Sequence, residues 1–240
     1  MKITLISDTH TKHYLLNGHL PGGDLLIHAG DFMSSGYSKS KAIEFFDWFD
    51  NIPNYETKIF IAGNHDRIMQ NYPGWVKDTL PQYKTIEYLQ DEELVEYGDG
   101  PNGDFPEDNI RIYGSPWQPW FFDWSFNLPR NGKELQEKWD AIPTNTDILV
   151  THTPAWGTLD DVEGRRGEHL GCELLAKQIN EVVKPKIHVC GHIHSGYGYY
   201  FNGQTHYFNA AVLNEQYNYT QKPFTFDWDK ETNTVNWLYD

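Results

Sequence analysis

Five short polar segments, each placed directly after an apolar run, constrain this chain more than any other feature. They are Asp8-Thr9-His10, Gly30-Asp31, Gly63-Asn64-His65-Asp66, Thr151-His152 and Gly191-His192-Ile193-His194. The apolar runs before them predict short buried strands. In open α/β sheets, functional side chains gather beyond the carboxyl ends of the strands. The pattern therefore predicts that the five segments contribute to one site.

Seven side chains in these segments have the chemistry of metal ligands. Carboxylates, neutral imidazoles and an amide oxygen suit manganese, iron and zinc. The candidate ligands are Asp8, His10, Asp31, Asn64, His152, His192 and His194. In Asp8-x-His10 and in His192-x-His194, an extended backbone would point both side chains the same way. Seven ligands from five strand ends are enough for a site that holds two metals.

Each of these residues has a simpler explanation when it is taken alone. An aspartate after a strand is usually a helix cap or a turn former. A single buried histidine is more often a hydrogen-bonded core residue than a ligand. Five segments of the right type in the right places favour metal binding over these explanations.

The charge of the chain bears on its partners. It carries 34 acidic and 19 basic residues, which gives a formal net charge of −15. A protein that binds nucleic acid regardless of sequence needs a basic surface, so we expect no long DNA or RNA partner. A small phosphorylated substrate, including a nucleotide, is compatible with this charge because bound cations reverse the local field. Protein partners are not indicated by the sequence.

The location of the protein is predicted from its apolar runs and its first residues. No apolar stretch is long enough to span a bilayer, so we expect no membrane association. Met1-Lys2 leads directly into an apolar run at residues 3–6, without a signal peptide, which predicts a cytoplasmic protein. The two cysteines, Cys172 and Cys190, form no disulfide framework.

Strand-like and helix-like stretches alternate along the chain. Apolar runs at 2–6, 24–28 and 57–62, with a helical pattern at 40–49, predict a parallel sheet with crossover helices. Further strands are expected at 85–97, 110–114, 147–150 and 187–190, helices at 131–140 and 168–183, antiparallel hairpin strands at 197–201, 205–209, 224–228 and 234–238, and an exposed acidic loop at 98–109. No linker or repeat interrupts residues 1–240, so we expect a single domain.

The five segments, in this order and spacing, resemble the signature of the calcineurin-like metallophosphoesterases. A closer resemblance is to the metallophosphoesterase-domain-containing subgroup, which is related to the class III cyclic-nucleotide phosphodiesterases. It rests on Ile27-His28-Ala29-Gly30-Asp31, Gly114-Ser115-Pro116-Trp117-Gln118-Pro119-Trp120-Phe121, Phe126-Asn127-Leu128-Pro129-Arg130 and Gly191-His192-Ile193-His194-Ser195-Gly196-Tyr197-Gly198. The resemblance implies an α/β fold, a four-layer α/β/β/α sandwich with two mixed sheets of the metallo-dependent phosphatase-like type.

The resemblance also implies how two divalent metal ions are bound. One would be held by Asp8, His10, Asp31 and His194, and the other by Asp31, Asn64, His152 and His192, with Asp31 as the bridge. Metals paired in this way activate a shared water, and the resulting hydroxide attacks phosphorus. Manganese is the preferred metal, and the ligand set also suits iron, zinc, cobalt and nickel. Some subgroup members lack the first histidine of the last segment and are impaired, whereas this chain keeps His192.

His65 resembles the family histidine that stabilises the transition state and protonates the leaving oxygen. Such a histidine needs a partner that fixes its tautomer. Many family members supply a carboxylate from a longer Gly-Asp segment that ends in Asp-Arg, and residues 30–35 lack both. Asp66 is the candidate substitute. Arg67 and Arg130 are candidates for binding the substrate phosphate, and each is equally well explained as a structural or surface residue.

An aromatic, proline-rich segment is a candidate wall of the substrate site. Trp117 and Trp120, together with Phe121 and Phe122, could stack against a nucleobase. They could equally form a stiffened loop that packs on the core, which is the commoner role of large aromatic residues.

These features predict a metal-dependent hydrolase of phosphate esters. A phosphodiesterase acting on small substrates such as cyclic nucleotides is the first hypothesis. A phosphomonoesterase acting on nucleotides or sugar phosphates is the alternative within this class, because the metals and His65 would serve either reaction. A weakly active, metal-stabilised scaffold that binds nucleotide or protein is the alternative from a different class.

Overall fold

Two six-stranded sheets organise the chain. The computed structural model describes residues 1–96, 109–162, 164 and 167–238. The first sheet contains β1 (Lys2–Ile6), β2 (Gly23–His28), β3 (Tyr55–Phe60), β4 (Ile86–Tyr88), β13 (Phe224–Asp229) and β14 (Thr234–Trp237). The second contains β5 (Glu92–Glu96), β6 (Ile110–Ser115), β9 (Ile148–Thr151), β10 (Ile187–Cys190), β11 (Gly198–Phe201) and β12 (His206–Asn209). A separate two-stranded pair consists of β7 (Gln118–Pro119) and β8 (Asn127–Leu128).

Parallel strands occupy the middle of both sheets. The strand order is β14-β13-β1-β2-β3-β4 in the first sheet and β11-β12-β10-β9-β6-β5 in the second. β1 to β4 run parallel, as do β6, β9, β10 and β12, whereas β5, β11, β13 and β14 pair antiparallel with their neighbours. Parallel strands place their carboxyl ends along one edge of a sheet, and the five polar segments follow β1, β2, β3, β9 and β10 there.

Helices cover the outer face of each sheet. They are α1 (Lys39–Asp50), α2 (Arg67–Asn71), α3 (Pro73–Thr79), α4 (Lys133–Asp140) and α5 (Glu173–Lys177), which continues as a π-helical turn to Val183. α1 packs Phe45, Phe46 and Phe49 against the first sheet, and α4 and α5 pack Trp139 and Leu175 against the second. No helix among these described elements has the length and apolar run needed to cross a bilayer.

The inner faces of the two sheets pack against each other. Ile3, Ile27 and Ile59 from the first sheet meet Val150 and Val189 from the second in one buried cluster. Strands covered on both faces are apolar at nearly every position, and β9 and β10 are buried throughout. The predicted four-layer α/β/β/α sandwich with two mixed sheets is confirmed.

Two segments differ from the sequence-based expectation. Residues 85–97 contain two strands that belong to different sheets, so the chain passes from the first sheet to the second between β4 and β5. The helix expected at 168–183 begins at Glu173, with Cys172 as its N-cap. The preceding residues are held out of the helix by bonds such as that from Cys172 N–H to the Pro154 carbonyl, 2.9 Å. The acidic loop expected at 98–109 lies, except for Asn109, outside the described residues.

Two histidines in the strands are buried core residues. His28 lies in β2 and His188 in β10, and both are fully buried. The hydroxyl of Thr151 donates to the Thr153 carbonyl, so it accepts from Nε2 of His188 at 2.8 Å. Nδ1 of His188 has no hydrogen-bond partner among the described residues. Burial lowers the pKa of His188 from its ordinary value of 6.5 to about 3, because a proton on Nδ1 would be buried without an acceptor.

This burial predicts how stability depends on pH. Below pH 6.5 the unfolded chain protonates His188 and the folded chain does not, so the contribution of His188 is present above pH 6.5 and is lost as the pH falls towards about 3. Within that window the loss is about 1.4 kcal/mol per pH unit. Replacing His188 by Gln should lower stability at pH 7 but make stability fall less steeply on acidification. Urea unfolding between pH 7 and pH 4 measures the difference.

The matched control is His19→Gln, because His19 lies at the surface. It should leave the pH dependence of the urea midpoint as it is in the unaltered protein. If stability falls as steeply with acidification in His188→Gln as in the unaltered protein, His188 does not contribute to the pH dependence.

Candidate metal centre

The five polar segments meet where the two sheets pack together. Three groups of side chains each bring their ligand atoms within 4.8 Å of one another. They are Asp8 with His10 and His194, His10 with Asp31 and His65, and Asp31 with His152 and His192. The remaining candidate, Asn64, lies with its Oδ1 3.0 Å from Nε2 of His152. The structure thus brings all seven candidate ligands together, and Asp31 belongs to two of the groups.

Three imidazoles in this cluster are oriented by backbone carbonyls. Nδ1 of His10 bonds to the carbonyl of Met33 at 3.0 Å, that of His152 to Ala29 at 2.9 Å, and that of His194 to Asn214 at 3.0 Å. A carbonyl can only accept, so each Nδ1 carries a proton. Nε2 is then the nitrogen that either takes up a second proton or binds a metal.

The three Nε2 atoms face carboxylates and one another. Nε2 of His194 lies 3.2 Å from Nε2 of His10 and 3.3 Å from Oδ1 of Asp8. Nε2 of His152 lies 3.3 Å from Oδ2 of Asp31. Nitrogen and oxygen atoms whose lone pairs converge in this way can bind a divalent cation. The residues present therefore fit the metals that the sequence implies.

The electrostatics of the cluster favour a cation. Burial opposes ionisation of Asp31 and Asp8, but the neighbouring imidazoles hold the pKa of each carboxyl below its ordinary value. Burial also opposes protonation of His152 and His194, yet the fields of Asp31 and Asp8 raise the pKa of each imidazole to about 9. The carboxylates therefore draw protons onto two imidazoles, and a bound metal would replace those protons.

The pKa values of the other two imidazoles, those of His10 and His192, are lowered and not raised. Burial lowers the pKa of His10 to about 4 and that of His192 to about 3, despite the nearby carboxylates. Both rings therefore stay neutral near pH 7, with a lone pair free to bind a metal.

A left-handed backbone, rather than an extended one, aims the ligands. Asp8, His10, Asp31 and His192 have φ values of 54°, 41°, 57° and 68°. Non-glycine residues rarely adopt this region, and such strain concentrates at functional sites. Asp8 and His10 do converge, as expected. The extended backbone expected in Asp8-x-His10 and in His192-x-His194 was wrong, because the chain turns sharply after β1 and after β10.

Glycine at position 191 lets the two sheets approach each other. A Cβ there would lie 2.0 Å from Oδ2 of Asp8 and 2.1 Å from Oγ of Ser7. The next residue, His192, donates its N–H to both oxygens of Asp8, at 3.1 and 3.0 Å. The missing side chain therefore places the Asp8 carboxylate against the backbone after β10.

His65 is held by a carbonyl and not by the predicted carboxylate. Its Nδ1 bonds to the Ser34 carbonyl. The carboxylate of Asp66 instead accepts from the N–H groups of Asp31, Met33 and Gly63, at 2.9, 2.8 and 2.7 Å. The interpretation of Asp66 as the partner of His65 is therefore corrected. The two residues lie in one tight turn, so their side chains leave it in different directions, and Asp66 braces the loop that carries Asp31.

The two candidate arginines are engaged in contacts of their own. The guanidinium of Arg67 donates to the Asp123 carbonyl and lies over the rings of Tyr37 and Trp124, at 5.1 and 4.6 Å. That of Arg130 donates to the carbonyls of Gly171 and Leu170, at 2.9 and 2.8 Å, and to Glu173 at 2.6 Å. These bonds match the structural explanation for both residues.

The aromatic segment divides into a buried part and an exposed part. Trp117 packs on the core and donates its Nε1–H to Asp91 at 2.8 Å. Trp120 is 62% exposed and its neighbour Phe121 is 40% exposed. The Phe121 ring stands edge-on to His192, with 5.5 Å between ring centroids. Phe121 is therefore the residue of this segment that contacts a candidate ligand.

Two residues at the site were missed in the sequence. Trp124 stacks on His65 with 3.9 Å between ring centroids. Tyr217 stands edge-on to His10 and His194, at 4.9 and 5.3 Å. Neither follows a strand, and no local pattern distinguishes them from other surface aromatics. Trp124 falls just before the stretch 126–130, which was noted only for its resemblance to the subgroup.

The close approach at Gly191 generates a test of the cluster. Replacing Gly191 by Ala should displace the Asp8 carboxylate, lower the metal content of the purified protein and destabilise the fold by about 1–3 kcal/mol. The control is Gly74→Ala, because a Cβ at Gly74 meets nothing within 4 Å. Thermal unfolding and elemental analysis of both variants provide the measurement. Equal metal content in the two variants would contradict the role of the Asp8 position.

Sequence comparisons extend these observations. The model of the calcineurin-like phosphoesterase family matches residues 1–196. Metallophosphoesterase domain-containing protein 1 of Homo sapiens is 39% identical over 246 residues, which cover 94% of this chain and 70% of that protein. A UPF0046 protein of Caenorhabditis elegans is 32% identical over 242 residues, which cover 95% of this chain and 60% of that protein.

Solved structures share the fold at low sequence identity. The crystal structure of a Thermus thermophilus protein, TT1561, has a TM-score of 0.59 at 13% identity, covering 98% of this chain and 96% of that one. That of a putative 5'-nucleotidase from Staphylococcus aureus has a TM-score of 0.54 at 15% identity, covering 98% of this chain and 52% of that one. As its signature segments predicted, the chain belongs to the calcineurin-like phosphoesterase family, and so to the metal-dependent hydrolases of phosphate esters.

Proposed function

We propose that this protein is a phosphodiesterase that hydrolyses small substrates, such as cyclic nucleotides, at a centre of two divalent metals. The observation that carries the proposal is the set of carbonyl-anchored imidazoles, whose Nε2 atoms converge on Asp8 and Asp31. When bound, such metals supply activation of water and neutralisation of charge on the phosphoryl oxygens. Manganese remains the preferred metal.

The ligand groups support two metals rather than one. Asp8, His10 and His194 form one group, and His152 and His192 with Asp31 form another. Asp31 also shares a group with His10, so its carboxylate lies between the two. One carboxylate positioned between two donor sets is the arrangement that a bridging ligand requires.

His65 is the residue that we assign to the leaving group. Its Nδ1 is committed to the Ser34 carbonyl, so Nε2 is the nitrogen left to transfer a proton. The ring lies beside the cluster, with its centroid 4.7 Å from that of His10. A proton delivered from Nε2 to the departing oxygen would leave the product as an alcohol.

The engagement of the two arginines favours a diester over a monoester. A phosphodiester carries one negative charge, whereas a phosphomonoester carries up to two. Arg67 and Arg130 are tethered by bonds to backbone carbonyls, which supports a site in which the metals supply most of the positive charge that meets the substrate. Such a site suits the singly charged diester better than the doubly charged monoester. Hydrolysis of bis-(p-nitrophenyl) phosphate should therefore be faster than that of p-nitrophenyl phosphate.

The assignment of His65 predicts the behaviour of one variant. His65→Ala should keep its metal content and lose about 10²–10⁴-fold in turnover of bis-(p-nitrophenyl) phosphate, the share that a positioned acid contributes. Steady-state kinetics and elemental analysis measure both properties, with His19→Ala as the control at an exposed histidine. Because His65 shares a group with His10 and Asp31, loss of metal would identify it as a ligand instead. Unchanged turnover would show that His65 is not the acid.

The shared position of Asp31 predicts a difference between two carboxylate variants. Asp31→Ala removes a ligand from two groups, whereas Asp8→Ala removes a ligand from one. After reconstitution with manganese and removal of excess metal, Asp8→Ala should retain about half of the metal of the unaltered protein and Asp31→Ala close to none. A chelator should abolish activity in all of them. Equal metal loss in the two variants would contradict the bridging role.

A further inference from the structure

Trp124 makes the closest ring contact with His65. The two rings stack with 3.9 Å between centroids and 27° between planes. The guanidinium of Arg67 also lies over the Trp124 indole, at 4.6 Å, and over the Tyr37 ring, at 5.1 Å. Tyr37, Arg67, Trp124 and His65 therefore form a continuous series of face contacts that ends at the ligand cluster.

Hydrogen bonds join the segment that carries Trp124 to the segment that carries His65. On one side of Trp124, the carbonyl of Asp123 accepts from Arg67. On the other side, Ser125 N–H donates to the Asn64 carbonyl at 3.1 Å. These bonds connect residues adjacent to Trp124 with residues on either side of His65. The stack is thus supported by one bond between backbone atoms and by one bond that the Arg67 side chain donates.

Few other contacts orient His65. Among the described residues, the one hydrogen bond of its ring runs from Nδ1 to the carbonyl of Ser34, an exposed residue, while its backbone N–H donates to Asp31 at 2.7 Å. A single bond to a carbonyl leaves an imidazole free to rotate about that bond, whereas a carboxylate with two oxygens or a packed face restrains the ring plane. His10 touches His65 edge-on, at 82°. The face contact with Trp124 is therefore the restraint on the plane of the ring.

We propose that Trp124 is a positioning residue, which holds the His65 imidazole in the plane from which Nε2 delivers its proton. This inference rests on the proposed role of His65 as the acid. Arg67 and Tyr37 hold the indole in turn, so Arg67 acts through Trp124 and not on the substrate. Packing thus supplies the orientation that a carboxylate partner would otherwise give.

The test compares two substitutions on substrates that need the acid to different degrees. Trp124→Leu keeps apolar bulk but removes the flat face, and Trp124→Phe keeps a face. With aryl phosphodiesters of weakly acidic phenols, Trp124→Leu should lose about 10–100-fold in kcat, with KM little changed, because the acid is misplaced. With strongly acidic phenols, which leave without a proton, the loss should be severalfold smaller. Trp124→Phe should recover most of kcat.

A double variant shows whether Trp124 acts through His65. If it does, His65→Ala combined with Trp124→Leu should be no slower than His65→Ala alone, because residues that act as a unit are not additive. Losses that multiply, or a raised KM at constant kcat, would mean that the indole contacts the substrate and would overturn the inference. Unchanged turnover in His65→Ala would instead overturn the acid assignment itself, together with the role of Trp124.

The control is a tryptophan far from His65. Trp237 lies in β14, is 44% exposed and packs on Phe226. Trp237→Leu should lower thermal stability without changing the dependence of kcat on the phenol. If Trp237→Leu changes the dependence of kcat on the phenol as much as Trp124→Leu does, the effect at Trp124 reflects a general loss of stability. That result would overturn the proposal.

Discussion

The anchoring of three imidazoles by backbone carbonyls is the interaction on which the centre depends. The carbonyls of Ala29, Met33 and Asn214 each fix the tautomer of one histidine, so three Nε2 atoms point into the cluster. The bond from His152 to Ala29 joins a loop of the second sheet to a loop of the first, whereas the bond of His10 lies within the first sheet's loops and that of His194 within the second sheet's. The bond from His152 to Ala29 and the bonds from His192 N–H to Asp8 therefore tie the donor set together across the two sheets.

The backbone conformation of the ligand loops costs free energy, and apolar burial in the core offsets that cost. Four of the candidate ligands have left-handed backbone conformations, each of which costs of the order of 1 kcal/mol or more. The strands before them are buried on both faces, and their apolar contacts hold the loop ends in place. Asp66 adds a local brace, because its carboxylate accepts from four N–H groups around Asp31, those of Asp31, Phe32, Met33 and Gly63. Its pKa is raised well above the ordinary value by burial and by the Asp31 charge, which the bonds to those N–H groups oppose.

His65 is oriented by a backbone carbonyl and an aromatic ring, and not by a carboxylate. A carbonyl bond from Ser34 fixes one nitrogen, and an aromatic face restrains the ring. The charge of Arg67 is used to hold that aromatic ring. Each contact comes from a residue distant from His65 in the sequence or from a backbone atom, and neither kind of contact leaves a recognisable motif.

The sequence by itself determined an α/β core, strand ends and the identity of the seven candidate ligands, whereas the four layers were implied only by the family resemblance. The first three features depend on apolar periodicity and on residue type, which are local properties of the chain. It could not show that β4 and β5 enter different sheets, that left-handed turns aim Asp8 and His10, or that Asp66 turns away from His65. Nor could it show that Trp124 reaches His65 across 59 positions of the chain. Only the tertiary structure decided these, because the direction of a side chain after a turn is set by the elements packed against it and not by its neighbours in sequence.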